Sequence, residues 1–363
     1  MKVATLTFQN TTNYGASLQC YALYRTLQLL GADPAVIDYN SPYLNKPYKF
    51  AALKEKGLIR YILGNLWTLM RLPRIKSFNE FNKNIKFTKQ VDECSIKSLE
   101  AEYDLFITGS DQVWNGSLSA YDTNYFLSFV KDEKKKASYA ASFGFLEVPE
   151  NKKEWYKEQL MGHHFYNVRE TSGQKIVKDL TGEDAKLTID PTLLLPREEW
   201  IKVMKKNKIK EPYILVYQIT PSKKITQIVE VLRKKTGYKV LAIPFIVDLP
   251  HRFKSLISIG PSDFIGLFCN ASYVVTDSFH GTAFSLIFNK NFWTLSRKNE
   301  SRITSLLDIL GLEDRILYFE DDLRMNLTQP INYDNANIKF KSYRENALTI
   351  IKDMINESMQ CEK

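Results

Sequence analysis

Eight short apolar runs punctuate the 363-residue chain, with helix-like stretches between most of them. They lie at 2–8 (KVATLTF), 35–39 (AVIDY), 104–108 (DLFIT), 137–142 (ASYAAS), 186–189 (KLTI), 213–219 (YILVYQI), 239–243 (KVLAI) and 271–276 (ASYVVT). Strands separated by helical segments build βαβ units, because a parallel strand pair needs a long crossover and a helix usually supplies it. The pattern therefore predicts an α/β protein with mainly parallel sheets. The series breaks at 190–200 (DPTLLLPREEW), where two prolines bracket a short apolar run and a helix start follows. That break predicts two α/β lobes, 1–195 and 196–340, with a last helix and frayed end at 341–363. At 44% apolar, a chain of this length can fill two cores.

Lys and Arg outnumber Asp and Glu by 50 to 41, a net charge of +9. That excess is modest for the size. It admits an anionic ligand or a membrane surface, and with no RNP motif, zinc finger or basic-region heptads no nucleic-acid partner is expected. The cysteines, Cys20, Cys94, Cys269 and Cys361, form neither a C-x-x-C pair nor a metal-spaced cluster, so no metal or cofactor is expected. Scattered thiols suit a reducing, cytoplasmic setting, and the N-terminus reads as a buried strand rather than a signal peptide. Residues 46–76 carry eight Lys or Arg against Glu55 alone, around the apolar run YILGNLWTLM. The run is too short to span a bilayer. It reads as a helix packed on its own lobe, or as a peripheral contact at the inner membrane face with Leu66 and Trp67 down.

Three strand ends carry the chemistry. In TDSFHGTAFSLIF (276–288) a buried strand turns into a helix through Ser278, Phe279 and His280. Carboxyl ends of strands in open α/β sheets face the ligand crevice, and a helix N-terminus there attracts an anion. Gly281 and Ala283 leave the backbone approachable, Ser278 and Thr282 can cap or donate, and a histidine can move protons near neutral pH. The plainer reading is a satisfied histidine with an ordinary serine N-cap. In DLFITGSDQVWN (104–115) the strand ends in Gly109, Ser110 and Asp111; Asp111 could bind a hydroxyl or act as a base, and Trp114 could stack on a sugar. An Asx-type turn with a core tryptophan reads equally simply. In FQNTTNYGASLQCYAL (8–23) a polar loop leads into a helix near Asn13, Tyr14 and Gly15, without the glycines of a dinucleotide or P-loop site. YAASFG (139–144), with Ser142 and Gly144, and YQITPSKK (217–224), with Ser222 and Lys223, mark further strand ends. Arg297 and Arg302 follow one more strand-like run, FWTLS, and are the first arginines in sequence after His280. No H-E-x-x-H, G-x-S-x-G or kinase set is present.

NYGASLQCYAL, GSDQVWN, YAASFG, DPTLLL and TDSFHGTAFS occur in the order seen in the polysaccharide pyruvyl transferase family, which the chain resembles from about residue 10 to about residue 312. The resemblance implies two Rossmann-like lobes of GT-B-like form with the active site in the inter-lobe cleft. It implies transfer of the enolpyruvyl carbons of phosphoenolpyruvate to a sugar as a pyruvate ketal, on a bacterial surface polysaccharide or a lipid-linked precursor. His280 then corresponds to the family's proposed catalytic histidine, with Asp111 the candidate for orienting or deprotonating the acceptor. Ser278, Gly281 and Thr282 would meet the donor; Asn13, Tyr14, Gly15, Ser110, Trp114 and Asn115 would meet the acceptor. In the better-studied branch an arginine two places before this histidine helps bind the donor. Ser278 holds that place here, so the donor's charge falls to Arg302 first and Arg297 second, or the donor differs. A GT-B nucleotide-sugar glycosyltransferase and a non-catalytic glycan-binding relative are the competing readings.

Overall fold

The computed structural model describes residues 1–44, 72–244, 250, 253–297, 301–321, 323 and 326–360. The chain divides into two compact units. The first comprises Met1–Thr68, Asn82–Leu195 and Arg344–Lys363; the second comprises Leu69–Phe81 and Pro196–Tyr343.

The first unit holds a four-stranded parallel sheet in the order β2-β1-β3-β4, formed by β1 (Lys2–Leu6), β2 (Asp33–Val36), β3 (Leu105–Thr108) and β4 (Lys136–Ser138). A separate parallel pair joins β5 (Asn167–Val168) to β6 (Lys186–Leu187). Helix α1 (Tyr14–Leu29) crosses from β1 to β2, with Asn13 as its N-cap accepting from the Ala16 N–H at 3.4 Å. Most of α1 is buried, so its sequence is apolar nearly all round. Helices α2 (Lys153–Leu160) and α3 (Thr171–Thr181) follow.

The second unit holds a six-stranded parallel sheet, β12-β11-β10-β7-β8-β9. Its strands are β7 (Tyr213–Gln218), β8 (Lys239–Pro244), β9 (Lys254–Ser255), β10 (Tyr273–Thr276), β11 (Asn291–Leu295) and β12 (Ile316–Leu317). All six residues of β7 are buried, as a central parallel strand covered on both faces requires. Helix α4 (Lys223–Thr236) covers that sheet with Ile225, Ile228, Val229 and Leu232, a three-four spacing that puts one stripe inward, and stops at Gly237 with φ +71°. Helices α5 (Pro261–Asn270), α6 (Phe279–Ile287), α7 (Ser301–Leu310) and α8 (Asp334–Gln360) follow.

The α/β class and parallel sheets are as expected. FWTLS is β11, whereas the two-residue strands β5, β9 and β12 are too short to leave an apolar run. The last helix begins at Asp334 rather than 341, and its part from Arg344 belongs to the first unit, where the Arg344 Nε donates to the Leu193 carbonyl at 2.8 Å. Of the basic segment 46–76, residues 46–71 lie outside those described; Arg74 is buried, its guanidinium 5.6 Å from the Phe78 ring centre. Among the described residues no helix is long and apolar enough to cross a membrane.

The core of the first unit contains His163, whose ring lies edge-on to Trp114 at 5.8 Å and whose Nδ1 lies 3.0 Å from the Leu160 carbonyl. Burial pushes its pKa down from 6.5 to about 4, since the charged ring would lose its hydration. The unfolded chain therefore binds a proton that the folded chain refuses. Stability is full above pH 6.5 and falls by about 3 kcal/mol as pH drops towards 4. His163→Phe removes this share of the acid sensitivity, and because the Tyr166 hydroxyl also donates to the Leu160 carbonyl, at 2.7 Å, that acceptor stays satisfied. Denaturant titrations of both proteins at several pH values check it. Equal slopes against pH would contradict the assignment.

Candidate functional site

Parallel strands end on the same side of their sheet, and in the second unit Thr276 of β10 stands opposite Tyr217 of β7 and Thr294 of β11. The turns after these three strands therefore gather along one edge. Asp277 ties two of them together: its carboxylate accepts from the backbone N–H of Ile219 at 2.7 Å and of Thr220 at 2.8 Å. Thr276 Oγ1 donates to the Tyr217 carbonyl at 2.7 Å and accepts from the Ser278 N–H at 3.0 Å. Ser278 is thus placed at the N-cap of α6, yet its side chain caps nothing. The hydroxyl is buried (residue 1% exposed) and has no hydrogen-bond partner among the described residues. A buried hydroxyl in that state costs free energy that a ligand oxygen would recover. His280 stands in the first turn of α6, half-buried, with its ring edge-on to Phe279 at 5.5 Å. Arg297 is exposed just beyond β11, and Arg302 lies in the first turn of α7. Both follow the strand end next to that of β10. In the β7 turn, Ser222 caps α4 by accepting from the Ile225 N–H at 3.3 Å, and Lys223 is exposed.

Two expectations at this turn need correction. Gly281 is not a gap left for a ligand: a Cβ there would sit 2.2 Å from Thr276 Oγ1, so the missing side chain lets α6 close onto its own strand. Thr282 is fully buried and its hydroxyl is engaged, donating to the Ser278 carbonyl at 3.1 Å and lying 3.0 Å from Thr294 Oγ1. Gly281→Ala therefore strikes the hydroxyl that fixes the turn. A loss of about 1–3 kcal/mol is expected in chemical denaturation. A variant as stable as the parent would show that the turn relaxes freely.

In the first unit, Leu6 of β1 stands opposite Thr108 of β3, so the turns after both strands adjoin. Gln19 on α1 joins them by donating to Thr7 Oγ1 at 2.8 Å and accepting from the Ser110 N–H at 3.2 Å, while Thr7 Oγ1 donates to the Ser110 carbonyl at 3.0 Å. Gly109 adopts φ +121°, where a Cβ would meet the Tyr139 carbonyl oxygen at 2.2 Å. Asp111 has φ +71°, is half-buried, and its carboxylate accepts from the Gln112 N–H at 2.8 Å. Asn115 donates to Gln112 Oε1 at 2.9 Å and accepts from the Ser117 N–H at 3.2 Å.

The proposed sugar-stacking role of Trp114 is overturned. Its ring is fully buried in the core, parallel to Phe126 at 5.8 Å, and has no free face for a sugar. Tyr14 is likewise buried and Gly15 lies within the buried first turn of α1, leaving Asn13 the exposed member of that trio. Ser142, at the strand end marked by YAASFG, is buried and donates to Glu170 Oε1.

Sequence reading missed a buried ionic network beside Ser110. Arg169 Nη1 donates to Asp190 Oδ2 at 2.9 Å, Arg169 Nε lies 3.7 Å from Glu170 Oε2, and Ser110 Oγ donates to Asp190 Oδ2 at 3.3 Å. Asp190 Oδ1 accepts from the Thr192 N–H at 3.0 Å and from Thr192 Oγ1 at 2.8 Å. Burial alone would depress the Arg169 pKa, but Asp190, Glu170 and Asp111 outweigh it and push the pKa up. Arg169 follows a two-residue strand that no apolar run announces. Asp190, by contrast, stood in the quoted DPTLLL, which reads as a crossing segment.

The fold has known counterparts. A UDP-GlcNAc 2-epimerase from Methanocaldococcus jannaschii aligns over 97% of this chain and 99% of its own, with 12% identity and a TM-score of 0.50, in keeping with the GT-B-like class. A UDP-GlcNAc 2-epimerase from Neisseria meningitidis aligns over 99% and 100% (10% identity, TM-score 0.48), and an E. coli heptosyltransferase over 96% and 100% (12% identity, TM-score 0.41). No curated protein sequence matches the chain significantly. The sequence profile of the polysaccharide pyruvyl transferases matches residues 13–299, which takes in the Asp111 turn, the Arg169 network and the His280 turn. The chain therefore belongs to the polysaccharide pyruvyl transferase family.

Proposed function

We propose that the chain transfers the enolpyruvyl carbons of phosphoenolpyruvate to two hydroxyls of one sugar, on a bacterial surface polysaccharide or its lipid-linked precursor. The observation that carries this reading is the α6 turn. It combines a helix N-terminus, a buried serine hydroxyl without a partner among the described residues, and His280, within a chain of this family. Phosphoenolpyruvate carries a phosphate and a carboxylate, and free N–H groups with an arginine suit both. In this reading the chemistry needs no metal and no bound cofactor, since the donor is itself a co-substrate.

His280 gives a proton to the methylene carbon, turning it into a methyl group and leaving an oxocarbenium-like centre at C2. A sugar hydroxyl adds to C2 and passes its proton to a base, for which Asp111 is the choice. The C2–O bond to phosphate then breaks with its electron pair going to inorganic phosphate. The second hydroxyl adds to C2, loses its proton and closes the ketal. Ser278 takes the donor position of the family arginine, and Arg302 supplies the positive charge, with Arg297 second.

Thermal unfolding with millimolar phosphoenolpyruvate, UDP and phosphate in parallel tests the reading, because a ligand that binds only the folded chain raises the midpoint. The expected result is stabilisation by phosphoenolpyruvate that is lost in Arg302→Ala. Stabilisation by UDP alone would point to a nucleotide-sugar transferase, and silence from all three would point to a non-catalytic binding protein.

A further inference from the structure

The first unit also holds a cavity of about 450 Å³. Tyr43, Glu93, Lys97, Tyr121, Thr123 and Asn124 line it. Its wall is tied to the end of β3, because the side chain of Thr108, two residues before Ser110, donates to the Tyr125 carbonyl at 2.6 Å. Phe8, just beyond β1, packs edge-on against Tyr125 at 5.0 Å. The segment that forms the cavity wall is therefore anchored to the end of β3 and to the residues just beyond β1.

The wall is set in advance by one buried carboxylate. Asp122 accepts from the Tyr39 hydroxyl at 2.8 Å, the Ser41 hydroxyl at 3.4 Å, the Asn124 N–H at 3.0 Å and the Asn124 side-chain amide at 2.9 Å. The Tyr39 and Ser41 hydroxyls tie segment 39–41 to segment 122–124, and the two Asn124 donors brace the latter, so little ordering remains to be done on binding. Since Asp122 is saturated, it shapes the wall and leaves recognition to its neighbours. Tyr43 is the open aromatic of the set, 48% exposed. Tyr121 is packed instead, with Trp155 against its edge and the Lys152 ammonium 4.3 Å from its centre. The rim carries one exposed carboxylate, Glu93, and one exposed ammonium, Lys97.

An open aromatic face beside hydroxyl and amide groups, with balanced charge at the rim, suits a ligand with an apolar face and many hydroxyls and no net charge. An anionic nucleotide or phosphate would want an excess of positive groups, which this lining does not offer. We propose that this cavity is a subsite for an uncharged sugar residue of the acceptor, stacked on Tyr43. The inference rests on the pyruvyl transfer reading, one sugar of whose acceptor it holds in the first unit.

Saturation-transfer difference NMR tests it with glucose, galactose, N-acetylglucosamine and N-acetylmannosamine as free sugars and methyl glycosides. At least one should receive saturation from the parent protein and keep it in Tyr43→Phe. In Tyr43→Ala the same sugar should bind roughly tenfold or more weakly. Tyr43 is half exposed, so neither variant threatens the core. No transfer to any sugar, or transfer unchanged in Tyr43→Ala, overturns the subsite. Phosphoenolpyruvate melting shifts run on the same proteins separate the two ideas. A shift with sugar binding indifferent to Tyr43 removes the cavity alone, and ring-dependent sugar binding without a shift removes the donor alone.

Discussion

Replacing His280 with alanine lowers phosphate release from phosphoenolpyruvate, with a lipid-linked oligosaccharide as acceptor, by about 10²–10⁴-fold. That is the usual share of a positioned general acid, worth about 3–5 kcal/mol of barrier. The fold should survive. His280 is half-buried at the start of α6, and Thr276, Asp277 and Thr294 make hydrogen bonds that fix the turn and survive the substitution. The melting midpoint should therefore move little, and phosphoenolpyruvate should still raise it, since Ser278 and the N–H groups of the helix remain. This split between binding and turnover separates a proton donor from a mere anion ligand. Turnover equal to the parent's would end the acid role. A lost phosphoenolpyruvate shift with a normal fold would recast His280 as a donor-binding residue.

The strand ends were legible because their signals are local. β3, β7, β8 and β10 are runs of apolar residues bounded by polar turns, and the sequence around His280 shows a strand passing into a helix within three residues. What those turns do with their small and polar side chains was not legible, because that depends on what packs against them. Gly281 reads the same whether it makes room for a ligand or for Thr276, and only the three-dimensional fold shows that the Thr276 hydroxyl occupies the space. Thr282 reads as a free donor until Thr294 of the next strand is placed beside it. Trp114 illustrates the same limit on a larger scale. Its neighbours Phe126, Phe143 and His163 arrive from later segments, so the local pattern cannot decide between a stacking platform and a core residue. The Asp111 turn kept its polar, half-buried character, but the charges around it come from Arg169, Glu170 and Asp190, far along the chain.

Those charges give the other large effect. Arg169→Met should destabilise the first unit by about 3–5 kcal/mol, the cost of removing one partner from a buried ion pair. The guanidinium is buried between two carboxylates that are themselves buried. The loss should come from stranded charge rather than from lost packing, since methionine fills a similar volume. A second substitution discriminates between the two. In Asp190→Asn the Oδ1 acceptor for Thr192 is retained while the negative charge is removed. Arg169→Met combined with Asp190→Asn should therefore be less damaging than the sum of the single variants, with a coupling of about 0.5–3 kcal/mol in a double-mutant cycle. Strict additivity in denaturant titrations would mean that the network is not energetically joined. The same cycle run on turnover tests the link to chemistry. Ser110 Oγ donates to Asp190 and Asp111 is the next residue, so a slackened network should misplace Asp111, the proposed acceptor base, and lower kcat in the single variant more than in the pair.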